Sequence, residues 1–144
     1  MASYEIIVGT MLGASEYVAD ALLETLQANG HSANIHLSPD IKDIPCTGNW
    51  LICTSTHGAG ELPDNIQGFA KQIENKALDD VAFLVVGLGD SSYDTYCYGS
   101  KTMQQLLQNS GAKLLSPAIH IDVLNHPIPE EPAVEWLTSY LQQI

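Results

Sequence analysis

The sequence predicts an α/β protein, a three-layer sandwich with a five-stranded parallel sheet of order 2-1-3-4-5 and helices on both faces. Three observations lead there. Short apolar runs alternate with segments of helical period along the whole chain, the pattern of parallel strands joined by crossover helices. Five such runs in 144 residues suit a doubly wound sheet better than a barrel or a full dinucleotide-binding fold. Segments rich in glycine and hydroxyl residues follow the first, third and fourth runs, where open parallel sheets bind ligands. No repeat, linker or low-complexity stretch interrupts the chain, so residues 1–144 are expected to form one domain.

The elements follow in order. Tyr4 to Val8 is a β-branched apolar run ending at Gly9, as a buried strand ends. Val18, Leu22 and Leu26 recur at i, i+4 and i+8 within Ser15 to Asn29, and Gly30 follows as a helix stop. Ala33 to Leu37 is a weak strand and Trp50 to Thr54 a clear one. Ser38 to Asn49 between them reads as loop with a short turn of helix. Pro63 suits a first helical position, with Ile66, Phe69, Ala70 and Ile73 at helical spacing behind it. Val81 to Val86 is the strongest strand, and Thr102 to Asn109 a helix closed by Gly111. Leu114 to Val123 holds the last strand. Asn125 to Pro132 is a proline-rich connector, and Glu131 to Leu141 is a final helix with an acidic start.

Charge narrows the function. Seventeen acidic residues stand against five lysines and no arginine, a formal net charge of −12. Neutralising phosphates or anionic lipid needs clustered cations, so neither nucleic acid nor a membrane surface is an expected partner. An acidic chain suits a basic partner face, and the same charge also keeps a protein soluble. Cys46, Cys53 and Cys97 show neither disulfide nor zinc spacing. The histidines likewise lack metal-ligand spacing, and no metal is expected. Without a basic leader or a membrane-length apolar stretch, the expected location is the cytoplasm. No nucleophile–histidine constellation suggests catalysis.

The three rim segments carry the chemistry. The first, Thr10-Met11-Leu12-Gly13-Ala14-Ser15, runs from a strand into a helix N-terminus, where free N–H groups favour an anion. It lacks the Lys-Ser/Thr ending of a nucleoside-triphosphate loop and the third glycine of the dinucleotide fingerprint. An ordinary strand-to-helix turn uses the same residue types. The second is Ser55-Thr56-His57-Gly58-Ala59-Gly60. The third, Leu88-Gly89-Asp90-Ser91-Ser92-Tyr93-Asp94-Thr95-Tyr96-Cys97, sets aromatic rings among small polar residues, as a flat ligand would need.

With these motifs in this order, the chain resembles the short-chain flavodoxins, and within them the MioC-type flavodoxin-like proteins. The resemblance rests on Gly9-Thr10-x-x-Gly13-x-Ser15-Glu16, on Ser55 to Glu61 and, most specifically, on Gly87-x-Gly89-Asp90-Ser91-Ser92-Tyr93 with Cys97. It implies a flavodoxin-like fold and flavin mononucleotide (FMN) as cofactor. Thr10 to Ser15 would wrap the phosphate. Ser55 to Ala59 and Leu88 to Cys97 would grip the isoalloxazine, with Tyr93 stacked on it. Gly58, free to rotate its peptide, would offer its carbonyl to the ring.

The implied activity is one-electron transfer rather than turnover of an own substrate. The donor would be a basic-faced flavoprotein reductase, and the acceptor a reductive, iron–sulfur enzyme such as one in biotin synthesis. Glu61, Asp64, Asp90 and Asp94 would lower the potential: a carboxylate about 10 Å from the ring opposes added charge by about 0.8 kcal/mol at an effective dielectric of about 40. The chain departs from the family pattern at three positions. Leu12 replaces a threonine, His57 a bulky aromatic, and Tyr98 a glycine. The first two predict weaker flavin binding and keep a flavin-free interaction module open as the alternative. A phosphoryl-accepting receiver is disfavoured, because Thr54-Ser55-Thr56 stands where such a domain needs aspartate.

Overall fold

The parallel sheet owes its three-layer setting to continuous apolar runs in its central strands. The structure, a computed structural model, describes residues 2–11, 13–57 and 59–144. The expectations for Leu12 and Gly58 lie outside the described residues. Six strands fill five positions: β1 (Ser3–Gly9), β2 (Ser32–His36), β3 (Gly48–Thr54), β4 (Val81–Gly89), β5 (Lys113–Leu114) and β6 (Ile119–Asp122). The order is β2-β1-β3-β4-β5, all pairs parallel, with β6 also on β4.

Four helices cover the sheet: α1 (Ala14–Ala28), α2 (Asp64–Ile73), α3 (Tyr98–Asn109) and α4 (Glu130–Gln143). A 3-10 turn at Ile41–Asp43 supplies the short helix expected between β2 and β3. Alternation along each strand splits the core in two. Tyr4, Ile6, Val8, Leu51, Cys53, Leu84 and Val86 face Val18, Leu22 and Leu26 of α1 and Ala133, Leu137 and Leu141 of α4. Ile7, Trp50, Ile52, Phe83 and Val85 face Ile66, Phe69 and Ile73 of α2 and Met103 and Leu107 of α3. Both faces of β1, β3 and β4 are therefore buried, which is why these strands read as unbroken apolar runs.

Helix α1 stops as its sequence predicts. Gly30 adopts φ +84, and its amide donates to Gln27 O (3.1 Å) while that of His31 donates to Leu26 O (3.0 Å). This is the glycine-terminated double closure of a helix C-terminus.

The structure corrects four boundaries. The last strand is broken at residues 115–118 rather than continuous. Pro117 has no N–H to give a ladder, and an edge position tolerates the gap. Pro63 caps α2 with extended ψ 147 instead of occupying its first turn. Helix α3 begins at Tyr98, four residues before its apolar periodicity starts, because its first turn is set by contacts with the second loop. Leu88 and Gly89 extend β4 instead of beginning a loop, and the Leu88 side chain lies in the core beneath α1 and α4. No helix among the described residues is long and apolar enough to cross a membrane.

Candidate flavin site

The topology brings the three rim segments to one edge. Gly9 pairs with Thr54, and Thr54 with Gly87, so the first, second and third loops leave the sheet side by side at its carboxyl end.

The first loop ends in an unusual helix start. Gly13, at φ 92, is the N-cap of α1 and offers no side-chain cap. Its carbonyl instead accepts from the Glu16 and Tyr17 amides at 3.1 and 3.2 Å. Thr10 Oγ1 accepts from the Gly13 amide at 2.9 Å and closes the loop on itself. Ser15, the second residue of the helix, is fully buried, and its Oγ has no hydrogen-bond partner among the described residues. A buried hydroxyl without a partner costs about 1–3 kcal/mol. Ala14 and Met11 are exposed.

In the second loop His57 and Glu61 form an antiparallel bridge. The His57 amide donates to Glu61 O (2.8 Å), and the Glu61 and Gly60 amides donate to His57 O (2.9 and 3.1 Å). His57 and Ala59 are exposed. Ser55 is tied inward, its amide donating to Gly9 O at 3.1 Å and its carbonyl accepting from Thr54 Oγ1 at 2.9 Å. Thr56 Oγ1 accepts from the Gly99 amide at 2.9 Å and joins the second loop to α3.

The third loop forms the far wall. Asp90 Oδ1 accepts from the Ser92 amide (2.9 Å) and hydroxyl (2.6 Å), and Asp90 O accepts from the Tyr93 amide. This folded turn presents Tyr93 at 63% exposure, with Ser91, Ser92 and Asp94 also exposed. Cys97 is buried, at φ 55, and is the one described non-glycine residue at positive φ. Such a conformation costs on the order of 1–3 kcal/mol. It turns the chain from loop into α3, where the Cys97 carbonyl accepts from Ser100 Oγ at 3.0 Å.

Thr56, Gly89, Asp90, Tyr93, Thr95, Tyr96 and Cys97 line a cleft of about 210 Å³ between the second and third loops. All seven lie in the second and third rim segments of the sequence. Gly89 keeps its floor open: a Cβ there would lie 2.9 Å from both the amide nitrogen and Sγ of Cys97.

Two further residues hold this edge and escape sequence reasoning. Asp122 ends β6 and accepts from the Ser91 and Leu124 amides at 3.2 and 3.1 Å, fixing the third loop to the sheet. Hydrogen bonds from Ser91 are the main reason its carboxyl sits below the usual carboxylate range. Asn65, in the first turn of α2, bonds the first loop from 55 residues away. A lone aspartate inside the last apolar run is the only hint of the former. Nothing local signals the latter.

Burial pushes the Cys97 thiol up to about 11 and the Tyr96 phenol up to about 12. Both pKa values are raised, so their stabilising contribution is complete below the ordinary 9.0 of the thiol and 10.0 of the phenol. It is lost as pH rises through about 11 and then about 12. Urea denaturation at stepped pH is expected to show stability falling from pH 9 upward, and the fall should be smaller in Cys97→Ala. An equal fall in the variant would refute the assignment to Cys97.

Comparison with known proteins shows the family. The flavodoxin family profile matches residues 6–136. Protein MioC of Escherichia coli K12 is 41% identical over 143 residues, covering 98% of this chain and 97% of that protein. The flavoprotein alpha-component of Bacillus subtilis sulfite reductase is 33% identical over 142 residues, which are 95% of this chain and 23% of that one. Among solved structures, a cysteine-to-serine mutant of flavodoxin from Pseudomonas aeruginosa superposes with a TM-score of 0.88 at 31% identity, covering 96% of this chain and 95% of that chain. With its 2-1-3-4-5 sheet and these three loops at one edge, the chain belongs to the flavodoxin family, the electron carriers whose cofactor is FMN.

Proposed function

We propose that the first loop holds the FMN phosphate and that the cleft between the second and third loops holds its ring. The observation that carries this reading is the buried Ser15 hydroxyl at the start of α1, without a partner among the described residues and on the same sheet edge as the cleft. Helix N–H groups and this hydroxyl suit a phosphate without any arginine. Thr10 and Gly13 shape the turn around it. Tyr93, more than half exposed, stacks on the outer ring face, while Thr56, Gly89 and the 90–97 backbone meet the ring's edge and inner face. The bound flavin supplies one-electron chemistry. The protein's part is to hold it, shield one face and leave an edge for a partner.

The protein acts in the cytoplasm as a carrier without a substrate of its own. It receives electrons from a flavoprotein reductase with a basic face and delivers them to a reductive enzyme, for which an iron–sulfur enzyme of biotin synthesis is the suggested acceptor. The formal charge of −12, with Glu61, Asp64, Asp90 and Asp94 on the second and third loops and at the start of α2, supports docking against a cationic face of the partner. The likeness to one segment of a sulfite reductase flavoprotein component supports a place beside such a reductase.

Stopped-flow reduction of the FMN-loaded protein by a flavoprotein reductase tests the partner reading. The second-order rate should fall roughly tenfold or more from about 50 to about 500 mM salt. A rate independent of salt would overturn it.

A further inference from the structure

The amide of Asn65 completes the sheet where β2 has ended. In β1, Gly9 turns its carbonyl toward β3, where it accepts from Ser55. Val8 and Thr10, one residue to either side, therefore turn their peptide groups toward β2. But β2 pairs only as far as His36 opposite Ile7, and the chain then leaves the sheet. The Val8 carbonyl and the Thr10 amide are left without a strand partner. Asn65 Nδ2 donates to Val8 O at 2.7 Å, and Asn65 Oδ1 accepts from the Thr10 amide at 2.9 Å. The same Nδ2 donates to Leu37 O at 3.0 Å, the carbonyl of the first residue past β2. A primary amide carries a donor and an acceptor in the geometry of a peptide unit, so it substitutes for the missing one.

We infer that Asn65 is a positioning residue that sets the discrimination of this site for a phosphorylated flavin over an unphosphorylated one. The inference rests on the reading of the first loop as the phosphate cradle. Thr10 is the first residue of that loop, and its Oγ1 in turn receives the Gly13 amide at 2.9 Å. Asn65 therefore fixes where the loop leaves the sheet, and Thr10 passes that position on to the N-cap of α1. The neighbours Ile66 and Phe69 are buried in the core, so the amide is held on a rigid helix. The ring cleft is lined by other segments and does not touch Asn65. Loosening this amide acts on the phosphate end alone. No other side chain of this length offers both a donor and an acceptor here, since aspartate would face two carbonyl oxygens with a carboxylate.

The test compares FMN and riboflavin titrated into apo protein, wild type and Asn65→Ala, by flavin fluorescence quenching. Wild type should bind FMN more tightly than riboflavin. Asn65→Ala should weaken FMN about tenfold or more and leave riboflavin within about twofold, so the affinity ratio collapses. Equal weakening of both ligands, with the ratio kept, would overturn the inference and leave the phosphate cradle standing. Equal wild-type affinity for the two ligands would overturn the cradle itself. If Asn65→Ala does not fold, amide hydrogen exchange in the wild-type apo protein decides. A protected Thr10 N–H supports the inference, and exchange at the rate of a free amide overturns it.

Discussion

Ser15→Ala is expected to stabilise the flavin-free protein while weakening its hold on FMN. The hydroxyl is fully buried without a partner among the described residues, and such a group costs about 1–3 kcal/mol. Alanine removes that cost and is at least as good a helix former at this position. The same hydroxyl, once bonded to a phosphate oxygen, makes a charge-assisted hydrogen bond worth about 1.5–3 kcal/mol. Its loss should weaken FMN by roughly 10- to 100-fold. Urea denaturation of the apo proteins and fluorescence titration read the two halves separately. An unchanged affinity would remove Ser15 from the phosphate site. A less stable apo variant would mean that water already satisfies the hydroxyl.

The second large effect is expected at Gly99, where α3 meets the second loop. A Cβ there would stand 2.6 Å from the Ser55 carbonyl oxygen, 3.1 Å from Thr56 Oγ1 and 3.3 Å from Thr56 Cα. Two of these atoms are backbone. They cannot swing aside, because Ser55 is bonded to Gly9 and its carbonyl accepts from Thr54. Gly99→Ala therefore separates α3 from the second loop and breaks the bond from the Gly99 amide to Thr56 Oγ1. Overpacking of this kind costs about 1–3 kcal/mol, a fall of roughly 3–12 °C in thermal midpoint for a chain of this size. Both walls of the ring cleft move with it, so FMN affinity should drop as well. Gly68→Ala is the control. It lies on the exposed face of α2, where an added Cβ would meet nothing outside its own helix within 4 Å, and it should stabilise by about 1 kcal/mol through helix propensity. If both variants melt alike, the close approach at Gly99 is not the cause.

These effects depend on contacts between segments far apart in sequence, and that limits what could be read beforehand. Periodicity located every helix and strand position, because burial on one or two faces imprints a local pattern that a single segment carries by itself. It misplaced the start of α3, since Tyr98 to Lys101 precede the helix's apolar stripe and are placed by contact with the second loop. Lys101 Nζ lies 5.4 Å from the centre of the Tyr98 ring, and a Cβ on Gly60 would lie 3.0 Å from that ring. It also merged β5 and β6, because the run from Leu114 to Val123 stays largely apolar while Pro117 breaks the ladder.

The sequence by itself determined the layered fold and the three loops that share one sheet edge, because strand order sends particular loops to one edge. Only the tertiary structure decided that Ser15 is buried without a partner among the described residues, that Leu88 belongs to the core, and that Asn65 and Asp122 hold the loops in place. Hydrogen-bond satisfaction and close approach are properties of pairs of segments. A residue such as Asn65 acquires its role only when α2 is laid beside the end of β1, 55 residues earlier in the chain.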